Sequence, residues 1–285
     1  MSWVLFTVAV VFAGYVLGTF VYVAGSYLLS RGHFERRPFG AALKEIVREA
    51  GWALLTQPLL PLFYLVGRRL ARGEGRPIVF VHGYFQNRIN FLYLARALGK
   101  RKMGPLYGFN YAWILDLPTI ARSLGAFVDA VIAETGKPDV DLVCHSMGGL
   151  VAAQYLAHEG GRGKVRRCVT IATPHKGVAY KGPIFGRAGL ALRKGHGLER
   201  LPELPFLSVY STHDNVVFPS TSSHLAEGQN LALAGLGHLA ILFVPATADA
   251  VADFLEAPDA PREAVAVPVE ALALPPHASE GGLGG

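Results

Sequence analysis

The segment VDLVCHSMGGLVAAQYL, residues 140–156, leaves this chain few ways to fold. Val140–Cys144, apolar but for Asp141, reads as a buried strand, and the residues after Ser146 read as a helix, so strand turns into helix at the serine. In a turn that sharp the residues two before and two after the serine nearly collide, and both must be small; here they are Cys144 and Gly148. A strand leading into a helix is the repeating unit of a parallel sheet covered on both faces. The same alternation runs through the flanking sequence. Pro77–Val81, Leu106–Tyr111, Val165–Ala172, Phe206–Tyr210 and Asn230–Ala234 read as strands, and Asn90–Leu98, the stretch from Pro118 to Gly136, Ser146 to about His158 and a closing segment from about Leu239 to Leu255 read as helices. The expected class is α/β, with a mostly parallel sheet and helices on both faces.

The N-terminus follows different rules. Residues 1–30 carry no charged side chain, and Trp3–Leu29 exceeds the ~20 apolar residues that cross a hydrocarbon core. A cleaved signal peptide has a basic start and an apolar middle of ~7–15 residues, and this segment has neither, so a single-pass transmembrane helix is expected. Residues 31–76 hold nine Lys/Arg against four acids, within a chain of net charge +6. Such a cluster suits anionic lipid headgroups better than nucleic acid, and by the positive-inside tendency it puts the rest of the chain on the cytoplasmic side if there is a single span. Trp52–Val66 is a second apolar stretch, short for a span and broken by Gln57, Pro58 and Pro61, which reads as an interfacial or domain-packing segment. The expected organisation is a membrane helix over 1–30, a basic juxtamembrane segment over 31–76, a catalytic-sized α/β domain over 77–256 with a Gly-rich lid-like insertion at 177–205, and a disordered Ala/Pro/Gly tail over 257–285. The two cysteines, Cys144 and Cys168, fall in expected buried strands and read as free thiols.

In an open parallel sheet the working end lies at the carboxyl ends of the strands. A serine on a strand-to-helix turn there presents its Oγ to the cleft, with the helix N-terminus behind it. With H-S-M-G at residues 145–148, the chain resembles the α/β-hydrolase superfamily, and within it bacterial, triacylglycerol lipase-like lipases and esterases; Cys144 replaces the first glycine of G-x-S-x-G. The resemblance covers about residues 77–255. It implies a Ser, acid, His order along the chain, which Ser146, Asp214 (in YSTHDNVV) and His238 (in LAGLGHL) meet. His213 and His224 are the rival bases; the first adjoins the acid after the wrong strand and reads as a solvated loop histidine, and the second lies in the polar run STSSH. The resemblance also implies an oxyanion hole from the backbone N–H groups of Met147 and Tyr84, the latter in the His-Gly loop VHGYFQN, with His82, Gly83 and Phe85 shaping substrate contact. Thr173-Pro174-His175 matches a lipase loop with a shaping role.

The activity so implied is serine hydrolysis of carboxylic esters, lipid or otherwise hydrophobic. Acyl transfer or thioester hydrolysis would use the same three residues, and a membrane-tethered hydrolase-like scaffold would use none. A dehalogenase or epoxide hydrolase on this fold would need a carboxylate where Ser146 stands. No phosphate-binding loop, metal-ligand cluster or nucleic-acid motif is visible, so no cofactor or metal is expected.

Overall fold

The computed structural model describes residues 2–180, 184–196 and 203–258. Its elements run α1 (Ser2–Ser30), α2 (Phe39–Thr56), β1 (Arg69–Ala71), β2 (Ile78–Val81), α3 (Leu92–Lys100), β3 (Leu106–Phe109), α4 (Leu117–Thr135), β4 (Val140–His145), α5 (Met147–His158), β5 (Val165–Ile171), α6 (Gly186–Lys194), β6 (Phe206–Ser211), β7 (Gln229–Leu233) and α7 (Pro245–Glu256). The seven strands form one sheet in the order β1-β3-β2-β4-β5-β6-β7. Only β1 is antiparallel, pairing with β3; the other pairings are parallel.

Side chains of a strand alternate between faces, and the central strands use that alternation to feed two cores. Ile78, Phe80 and Val143 pack with Leu94 and Leu98 of α3 and Val251 and Phe254 of α7. Val79, Val81, Leu142 and Cys144 turn the other way, onto Leu124 and Val128 of α4 and Val151 and Tyr155 of α5. Burial on both faces is why these strands read as apolar runs, interrupted in β4 by Asp141, rather than as alternating ones. α4 is started by Asp116, whose side chain accepts the Thr119 N–H at 2.9 Å, with Pro118 in its first turn.

Three features differ from the sequence expectation. The closing segment is not one helix: a 3-10 turn over Ala240–Phe243 precedes α7, with Val244 extended between them. Pro245 is the cause, because its ring disfavours helical backbone in the residue before it. β1 was hidden because three residues, Arg-Leu-Ala, carry no periodic signal, and its Arg suits an exposed edge. Residues 31–76, expected as a basic juxtamembrane segment, contain a helix the sequence reading did not name: α2 runs back along α1, with Tyr15 Oη donating to Ala53 O at 3.4 Å and Val23, Tyr27 and Ala50 buried together. Trp52 of α2 then stacks on Phe243, ring centroids 4.0 Å apart. Residues 1–255 form one compact unit; of the C-terminal unit only 256–258 are described.

The basic cluster is also partly spent within the protein. Arg37 pairs with Glu45, Arg68 and Arg69 with Glu134, and Arg76 with Asp139. Arg31, Arg36, Lys44 and Arg72 are exposed. Trp3–His33 is the one helix among the described residues long and apolar enough to cross a membrane, with mean hydropathy 2.3, a test of length and composition that a signal sequence near an N-terminus also passes. The lid-like segment is described in part, with α6 inside it; residues 181–183 and 197–202 lie outside the described residues, as does the expected tail beyond 258.

Leu142 is fully buried at the centre of the sheet, so Leu142→Ala should cost about 2–5 kcal/mol. Denaturant unfolding of the detergent-solubilised chain measures this, and Lys100→Ala, on the surface, should fall within about 0.5 kcal/mol of the parent.

Candidate active site

β4 ends at His145 and α5 begins at Met147, leaving Ser146 alone to make the turn. Its backbone lies at φ 52°, ψ −124°, a conformation that costs a non-glycine residue of order 1–3 kcal/mol and persists only where its surroundings enforce it. Ser146 N–H donates to Ile171 O at 2.8 Å, and Ser146 O accepts from Gly149 N–H and from Thr173 Oγ1, each at 3.0 Å. A Cβ on Gly148 would strike the carbonyl oxygens of Val81 and His82, the latter at 2.6 Å. The end of β2 therefore demands a small residue here. Cys144 is a free, buried thiol, and burial together with Cys168 pushes its pKa well up.

His238 lies in the turn after β7. Its Nε2 is 3.0 Å from Ser146 Oγ, and its Nδ1 is 2.8 Å from Asp214 Oδ2. Asp214 follows β6 and is fixed by its other oxygen, which accepts the N–H groups of Val216 and Val217 at 2.8 Å each. A carboxylate at Nδ1 calls for the proton there, which leaves Nε2 as an acceptor facing the serine hydroxyl. Burial opposes a charged ring at His238, but the charge and hydrogen bond of Asp214, with a contribution from Glu49, outweigh it and raise its pKa. The three residues named from the sequence thus form one continuous hydrogen-bonded chain.

The loop after β2 closes over the serine. A Cβ on Gly83 would lie 2.9 Å from Ser146 Cβ, so only glycine lets this backbone approach so near. Gly83 N–H donates to Gln86 Oε1 at 2.9 Å, and the same oxygen lies 2.8 Å from His145 Nδ1. Met147, as the first residue of α5, contributes one of the N–H groups that a helix leaves without an internal partner. Tyr84 stands in the turn beside Gly83, and its hydroxyl bridges to Phe185, donating to the carbonyl at 2.6 Å and accepting the N–H at 2.8 Å. Phe85 is about half exposed and lies 4.0 Å from Trp113, centroid to centroid. His82 is fully buried and stacks on Tyr111. Its Nδ1 contacts Gly83 O at 2.9 Å and its Nε2 accepts the Tyr111 N–H at 3.3 Å, so its ring orders the loop and has no face for a substrate. Burial depresses its pKa to about 4.

His213 is not the solvated residue the sequence suggested. It is buried, accepts from Arg37 Nε at 2.8 Å and packs on Phe34. His224 is exposed, and Asp249 and Asp253 pair with Arg101 at the surface. His175 is buried, with Nε2 3.1 Å from Thr170 Oγ1, and burial lowers its pKa to about 3. Among the described residues no group of three or more His, Cys, Asp or Glu is placed to hold a metal. Sequence reasoning gave no role to His145, whose Nε2 lies 3.0 Å from His238 O, or to Asn215, whose Oδ1 accepts the His238 N–H at 2.9 Å. Both adjoin a residue that was named, and that adjacency was the available signal.

Residues 78–278 match the alpha/beta hydrolase family. The chain belongs to that family. The lysosomal thioesterase PPT2 of Mus musculus is 32% identical over 117 residues, 38% of this chain and 37% of that protein, and its Homo sapiens counterpart is 31% identical over the same length. This hydrolase therefore spans little more than a third of the relatives it matches. Among solved structures, the mature Bacillus licheniformis lipase BlEst2 is 18% identical with a TM-score of 0.53, covering 59% of this chain and 86% of its own. Aspergillus fumigatus lipase B is 17% identical with a TM-score of 0.54, covering 63% and 52%. At such identities the likeness is one of fold.

The two histidines load stability with opposite signs. His82, held near pKa 4 against an ordinary 6.5, stays neutral while the unfolded chain protonates, so its contribution is complete above about pH 6.5 and is lost as pH falls towards 4. The raised pKa of His238 gives a contribution that is complete below its unfolded value and is lost as pH rises through the folded one. An NMR titration of the histidine rings should find His238 titrating above 6.5 and His82 near 4, with Asp214→Asn lowering the His238 value.

Proposed function

We propose that this alpha/beta hydrolase cleaves carboxylic esters of lipids or other hydrophobic acyl groups, with Ser146 as nucleophile, His238 as base and then acid, and Asp214 as its orienting partner. The hydrogen-bonded chain Ser146–His238–Asp214, at 3.0 and 2.8 Å, carries this reading. Ser146 Oγ attacks the ester carbonyl as His238 Nε2 takes its proton. The backbone N–H groups of Tyr84 and Met147 receive the oxyanion, a contribution worth about 10²–10³ in rate per donor. His238 then protonates the departing alcohol, and in the second half it deprotonates a water that attacks the acyl-serine and frees the acid. Phe85 and Trp113 beside the loop, with exposed Ile114 and Phe185 next to them, favour an apolar acyl group.

The proposed partner on the substrate side is a membrane. α1 serves as the anchor, and α2 is amphipathic in an inverted sense: Glu45 and Glu49 face inward while Phe39, Leu43, Val47 and Leu55, spaced by multiples of four, are exposed. Residues four apart are neighbours on a helix surface, so Phe39, Leu43 and Val47 make an apolar stripe, and a bilayer suits it better than water does. The exposed Arg31, Arg36 and Lys44 adjoin it and favour a cytoplasmic domain. Thioester hydrolysis is the second reading, supported by the 32% identity to a lysosomal thioesterase.

Ser146→Ala should abolish hydrolysis of p-nitrophenyl acyl esters, and Asp214→Asn should lower turnover by about 10⁴. Rates on a panel of triglyceride, phospholipid, short-chain ester and acyl thioester check the substrate class: long-chain oxygen esters should lead. A preference for acetyl esters or for thioesters alone would overturn the lipid-ester reading.

A further inference from the structure

The residues that hold the turn bearing His238 do not all come from the region matching the family. Glu49 of α2 is buried, and its two carboxylate oxygens accept the N–H groups of Leu239 and Ala240, the two residues following His238, at 2.8 Å each. On the other side of the histidine, a Cβ on Gly237 would strike the same carboxylate, lying 2.5 Å from Glu49 Cδ and 2.8 Å from Tyr27 Oη of α1. The chain at 237–240 is thus wrapped around one side chain from α2.

Further contacts from the same hairpin reach the same two loops. Asn215, which holds the His238 N–H, donates through Nδ2 to Ser26 Oγ of α1 at 2.6 Å. Arg37 donates to His213, next to Asp214, and Arg48 donates to Gly235 O. A buried carboxylate is costly unless its oxygens are satisfied, and Glu49 meets that cost with two backbone donors at a position where they fix the base.

We propose that Glu49 is a positioning residue for His238, and that the α1/α2 hairpin is a working part of the active site in addition to a membrane attachment. The claim rests on His238 serving as the base proposed above. Both Glu49 oxygens face N–H donors, which is the arrangement of an ionised carboxylate, although burial pushes its pKa up. The charged and titratable groups facing His238 are Asp214 from the β6 loop, Glu49 from α2 and His145 from β4, whose ring centroid is 4.8 Å away and which burial keeps neutral.

The test uses the full-length chain in micelles and compares the wild type with Glu49→Gln and Glu49→Asp. Glutamine keeps the size but loses the charge and presents an NH₂ to a backbone N–H; kcat should fall roughly 10- to 100-fold with KM little changed, as expected when a catalytic group is displaced by a fraction of an ångström. The acid limb of the pH profile should move to lower pH, because a negative charge that favours the imidazolium is gone. Glu49→Asp keeps the charge but shortens the reach, so it should lose kcat while holding the acid limb near that of the wild type, and it carries the test if Glu49→Gln does not fold. An NMR titration of His238 reads the same shift without turnover: if the wild type hydrolyses no ester, the functional reading fails and the titration still decides this one. Wild-type kcat in both folded variants, or an unmoved His238 titration in Glu49→Gln, would overturn the proposal.

Discussion

The backbone of Ser146, forced into a left-handed conformation between β4 and α5, is the constraint on which the rest of the site depends. It is held there by the end of β5, by Thr173 and by the closeness of β2 to the first turn of α5. The sheet order puts those strands side by side, so the strain is sustained by the two cores that bury the sheet. Because the strands are parallel, the loops after β2, β6 and β7 open at the same edge, and the glycine of the first and the aspartate and histidine of the others converge on one hydroxyl.

Much of this was legible in the sequence because local physics and global fold agree there. Val140–Cys144 has no way to be other than a buried strand, and a serine between it and a Gly-Gly helix start has few conformations open to it. Asp214 and His238 could be named because each sits at a strand end, in the order that the resemblance implies. Other parts were not legible. The break at Val244 comes from Pro245, inside what read as one apolar helix, and β1 is too short to show a period. His213 looked solvated because nothing in its own loop reveals that Phe34 and Arg37, far away in sequence, come to cover it.

The segment 31–76 is where local reading was least adequate. Counted as a list of charges it reads as a basic juxtamembrane segment, yet several of those arginines are committed to acids within the fold, and two of its glutamates are buried. A helix with acids inward and apolar residues outward makes sense only once both neighbours are known: backbone N–H groups of the His238 turn on one side and, in the proposed setting, acyl chains on the other. The hairpin therefore joins the hydrophobic helix to the site in one packed unit, and the histidine loop depends on residues that lie outside the family's common region.

The central claim is that the Ser146 hydroxyl is activated through His238. It is tested most directly by treating the full-length protein with a fluorophosphonate and mapping the adduct by mass spectrometry in the wild type and in His238→Ala. The account predicts a phosphonyl group on Ser146 in the wild type and none in the variant over the same time. Absence of an adduct in the folded wild type, or equal labelling in the folded variant, would contradict it.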